Sequence, residues 1–215
     1  MDNKKEKMNS FSVALGLFDY INPIFYTVTS FTVLKNMNGL MGRPLFVLYT
    51  VGAILSLIFG FTIPTVKLIV GLGIMEFKMP VNLVFYVNSG ILLSGMALFA
   101  HSFSLSTEVF IVLLAVILLL LYAIYRKSGK FNTVAVLIGA AGYLMIYISL
   151  IKVACLCDRI LSVILYCLAI CLFVFLILVG VKSDLKLPKV HWAIEIANVL
   201  CQFSVALSTV LLFLN

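Results

Sequence analysis

Charge is what this sequence has least of. Charged residues fill 11% of its 215 positions, while 64% are hydrophobic. A soluble chain of this size carries about 25% charged residues. So little polar surface cannot cover a water-soluble globule, and a lipid bilayer is the solvent that suits the chain. Histidine is scarce as well. The 2 copies, His101 and His191, fall at opposite membrane faces and make a shared zinc site a poor expectation. There is no CxxC pair among the 5 cysteines. Four of them sit in or beside apolar runs, so a disulfide framework is not expected, and Cys155-Leu156-Cys157 reads as two free thiols. The chain lacks a glycine-rich phosphate loop, HExxH and GxSxG. No cofactor or metal is implied, no catalytic motif is recognisable, and the last apolar run has no central lysine to anchor a retinal.

What the chain has is apolar runs of spanning length. A transmembrane helix needs about 20 residues. Such runs cover 12–34, 44–61, 80–100, 109–125, 133–151, 161–181 and 190–213. We therefore expect an all-α polytopic membrane protein with seven transmembrane helices in a single membrane domain, 1–215. Pro44 opens the second run as a helix-start proline. Gly52, Ser56 and Gly60 recur at a spacing of four, which lets another helix approach closely in lipid. The stretch 62–79 is apolar but interrupted by Pro64, Lys67, Gly71, Gly73, Glu76 and Lys78. An interfacial helix, a re-entrant segment or a kinked extension of the second span all fit it.

The net charge is +7. In a soluble protein this would suggest nucleic acid, but here the basic residues lie between apolar runs, and contact with anionic lipid headgroups is the better expectation. With seven spans, 11 basic residues fall on one side and 4 on the other, Lys67 being counted with the richer side. The richer side is expected to be cytosolic. The N-terminus is then cytosolic and the C-terminus outside, in a multi-pass protein of the cell membrane.

Polar residues inside the spans point to a site. In the last run His191, Glu195, Asn198, Gln202 and Thr209 fall within about 60° of one another on a helix. In the first, Ser12, Asp19, Asn22, Tyr26 and Ser30 share a face, and Pro23 breaks the backbone hydrogen-bonding beside Asn22. Ionisable groups in hydrocarbon are costly and mark solute or ion paths. They also serve as hydrogen-bonded seams between helices. The candidate binding residues are Asp19, Asn22, Tyr26, His191, Glu195, Asn198 and Gln202, with Asp19 and Glu195 facing one central polar cavity and His191 near its cytosolic mouth. Tyr143 and Tyr147 read as a core stripe, and Cys167 and Cys171 as packing.

Three functions fit. The first is a small transporter, channel or solute-binding subunit, proton- or cation-linked, taking a small polar or cationic solute. The second is an intramembrane enzyme acting on a lipid or isoprenoid, with His191 and Glu195 as acid–base partners. The third is a sensor or assembly partner whose polar seam is structural. The lipid bilayer is the one partner the composition demands. Nucleic acid is not expected, and no oligomeric partner is indicated.

Overall fold

The computed structural model describes residues 13–74, 81–129, 131–182 and 188–214. They are helical throughout, with no strand among the described residues. The helices are α1 (Val13–Asp19), α2 (Ile21–Met37), α3 (Arg43–Gly71), α4 (Val81–Ser102), α5 (Thr107–Ser128), α6 (Phe131–Leu156), α7 (Ile160–Lys182) and α8 (Pro188–Phe213). Six of them, α3 to α8, are long and apolar enough to cross a membrane. The chain is a multi-pass helical membrane protein. Its helices α1 and α2 form one further rod, broken at Tyr20.

Elementary causes set these boundaries. Ser106 caps α5, its Oγ accepting from the Val109 amide, and Gly129 ends the same helix in the left-handed region at φ 60°, a conformation glycine adopts without strain. Pro44 stands in the first turn of α3, where its missing N–H costs nothing. The stretch expected to be interfacial, re-entrant or a kinked extension continues α3 as far as Gly71, with Pro64 inside the helix. At 29 residues, α3 is about 43 Å long, well beyond the hydrocarbon thickness of about 30 Å. Residues 75–79 of that stretch lie outside the described residues.

Small residues set the packing. α4 lies between α3 and α6, and α8 lies between α2 and α7. A Cβ on Gly52 would sit 2.6 Å from the Gly90 carbonyl, and one on Gly142 would sit 2.6 Å from the Leu92 amide. Backbones this close exclude any side chain at these positions, the expected use of the small residues on α3. Asn88 crosses the α4–α6 contact, donating to the Ala135 carbonyl at 2.8 Å. The main core is built on Val33, Tyr49, Ala53, Ile91, Leu98, Leu150, Tyr166 and Val205, all buried. α5 packs against α6 and turns an apolar face outward, including Val112, Leu119 and Tyr122.

Candidate solute site

Two glycines bring the first rod against α3. Gly16 is so close that a Cβ there would meet the Leu68 backbone at 3.2 Å, and a Cβ on Gly60 would touch Pro23 at 3.6 Å. The Tyr20 hydroxyl is 2.7 Å from Thr65 Oγ1, which fixes rotation. On the other side Phe18 packs on Trp192 and Phe25 on Phe203, holding the rod against α8. The result is three helices meeting at one level.

At that level Lys67 of α3 donates to Asp19 Oδ2 at 2.6 Å and to Glu195 Oε1 at 3.3 Å. Asn22 Nδ2 donates to Asp19 Oδ1 at 3.3 Å and to Glu195 Oε2 at 3.5 Å. The three charged side chains are 10–13% exposed. Among the described residues two carboxylates meet one ammonium. Of the readings open for 62–79, the continued helix is the one found, and it turns Lys67, counted with the basic residues of the richer side, inward to the two carboxylates. The basic-residue bias keeps its direction without it.

Beside the cluster is a half-enclosed pocket of about 150 Å³. Of the residues expected to bind, Asp19, Asn22, Tyr26, Asn198 and Gln202 line it. Glu195 stands next to it, joined through Asn22 and Lys67. The side chain of His191, expected at the mouth, lies outside the described residues, as does Ser12. The sequence pattern did not single out Ser56, Ile63 and Pro64 of α3, Val87 and Ile91 of α4, or Tyr143 of α6, which complete the wall. Tyr143, read as a core tyrosine, is a wall residue, while Tyr147 is buried against Cys201.

The pocket surface is mainly apolar, with polar groups packed behind it. Asn22 Oδ1 and the Tyr26 hydroxyl are buried without a hydrogen-bond partner. Tyr26 lies near the hydroxyls of Ser30, Ser56 and Ser94 without bonding geometry to any of them. Buried polar groups are nearly always satisfied, so such exceptions call for a cause. Two wall residues are prolines, Pro64 inside α3 and Pro23 in the first turn of α2, just past the break at Tyr20. Pro23 has no N–H for the Asp19 carbonyl and Pro64 none for the Gly60 carbonyl, so both oxygens lack the usual helical donor. Irregular backbone at membrane depth is tolerated where it lines a cavity. Among the described residues no group of three or more histidine, cysteine or acidic side chains suits a metal ion.

No family model matches the chain, and neither does any curated protein or solved structure.

Proposed function

We propose that this is a protein of the cell membrane that binds and moves a small solute through the pocket between α2, α3, α4, α6 and α8, with a cation or proton as the linked charge. The single observation that carries this reading is the sharing of Lys67 by Asp19 and Glu195 beside a pocket that Asp19 helps to line. A buried ionic triad is a poor way to hold helices together. Well-packed apolar residues of similar volume do that as well or better. Charge that persists in such surroundings is more economically explained by use. Two carboxylates sharing one lysine among the described residues support a cationic partner, and prolines in helices beside a central site recur in transporter folds. The pocket then serves as the central polar cavity, reached from the side that holds the Lys67 end of α3. The positive-inside bias makes that side the cytosol.

Transport is tested by reconstituting the full chain in liposomes adsorbed on a solid-supported electrode and applying pulses of small inorganic and organic cations. Charge displacement is expected for the wild type with at least one cation and is expected to be lost in Asp19→Asn. Silence of the wild type toward every cation, at either polarity of the gradient, overturns the transport reading.

A further inference from the structure

Resting on that reading, we propose that the solute is a small primary ammonium compound with an apolar body about the size of a benzene ring, and that Lys67 is its built-in competitor. Four observations converge. The first is shape: the wall runs along α3 from Ser56 to Pro64, about 12 Å at the helical rise per residue, so the pocket is elongated along the helices. A volume near 150 Å³ matches a cavity known to admit benzene. The second is polarity: at one end are Asp19 and Asn22, and along the sides are Ile63, Val87 and Ile91. A bare hydrated ion would lose water against those apolar walls without replacement, whereas an alkyl or aryl ammonium sets its charge at one end and its body along the other.

The third observation is donor count. An ammonium brings three N–H donors and no acceptor. Asp19 and Asn22 line the pocket at one level, with Gly60 and Tyr26 also on its wall, and a carboxylate with an amide beside it is an acceptor pair suited to such a group. The fourth is the position of Lys67. Its Nζ is already bonded to both carboxylates, 2.6 Å from Asp19 and 3.3 Å from Glu195. Only Asp19 of these two lines the pocket. An incoming ammonium takes Asp19, Lys67 passes wholly to Glu195, and two negative charges then face two positive ones. Glu195 is thus a positioning residue that receives Lys67 and never touches the solute.

The test is equilibrium binding of benzylammonium to the purified full chain, with toluene and benzoate as neutral and anionic controls of similar body. Wild type binds benzylammonium in preference to both controls, and Asp19→Asn loses that preference. Lys67→Met binds tighter. If the lysine-released state holds about a tenth of the population, the gain is about tenfold, because apparent affinity scales with the competent fraction. Glu195→Gln binds more weakly, since Lys67 then has Asp19 alone. Should Lys67→Met fail to fold, Lys67→Met combined with Glu195→Gln removes the competitor and leaves one carboxylate unopposed by another. It is expected to bind at least as tightly as wild type. Equal binding of toluene or benzoate, or no gain on removing Lys67, overturns the ammonium assignment while the solute pocket stands. No binding of any of the three ligands removes both.

Discussion

In the C-terminal half of α8, Ser208 donates to the Ser162 carbonyl at 2.7 Å while Ser162 donates to the Ser208 carbonyl at 3.1 Å. Thr209 lies 2.9 Å from the Tyr166 hydroxyl. Nearer the N-terminal end Asn198 and Gln202 line a pocket whose opposite wall holds Asn22 and Tyr26, with Glu195 beside it. One polar stripe therefore meets two kinds of neighbour. Small side chains on α7 let the lower half close into reciprocal hydrogen bonds, as polar residues do between membrane helices. The proline-broken first rod and α3 leave the upper half open.

The contrast can be broken most forcefully at Lys67. Lys67→Met leaves two carboxylates facing each other away from water, and loss of one member of a buried ion pair costs about 3–5 kcal/mol. Partial exposure places the expected loss near the lower figure. Unfolding of the purified chain in a denaturant series measures it, and Lys67→Met combined with Glu195→Gln is expected to recover much of the loss. An unchanged midpoint for Lys67→Met would mean that the cluster is already wet and the pairing incidental.

A smaller effect separates the two halves by their tyrosines. Tyr166→Phe deletes a buried hydroxyl that is bonded to Thr209, at an expected cost of about 1 kcal/mol. Tyr26→Phe deletes a buried hydroxyl that has no partner and is expected to fall within about 0.5 kcal/mol of wild type or to stabilise the chain, since an unsatisfied buried group is itself a cost. The same unfolding series reads both. Equal losses would place Tyr26 in a sealed seam and remove the distinction between the halves.

The spans were legible because hydrophobic run length responds directly to bilayer thickness. The faces of the first and last spans were legible because helical periodicity fixes which side chains share a side. Asp19, Asn22, Glu195, Asn198 and Gln202 do converge. The pairing of Lys67 was not legible because 62–79 fits an interfacial, re-entrant or kinked helix alike, and only the continued helix aims Lys67 at both carboxylates. A proline kinks a helix without ending it when neighbouring helices support the turn. One signal was available: two inward carboxylates need a counter-charge, and Lys67 is the cation nearest in sequence to a helix-interior proline. Lys152 shows why position alone misleads. It too is a lysine near a helix end, yet it donates to the Ser102 carbonyl at the end of α4 and lies 4.1 Å over the Phe103 ring, a capping role near a helix C-terminus. Ser56, Val87, Ile91 and Tyr143 carry no mark in the sequence that separates a pocket wall from a core. Their role depends on where the first rod is held away from α3 and α4.

Solvent access along α8 tests the central claim most directly. Asn198→Cys and Ser208→Cys variants of the full chain, in membrane vesicles, are exposed to a small membrane-impermeant methanethiosulfonate, and modification is read by peptide mass at each site. Asn198→Cys is expected to be modified, while Ser208→Cys and the native Cys201, which is 1% exposed, stay unmodified until the protein is unfolded. Protection of Asn198→Cys equal to that of Ser208→Cys would show α8 sealed along its whole length and would contradict a solute pocket beside Asp19 and Glu195.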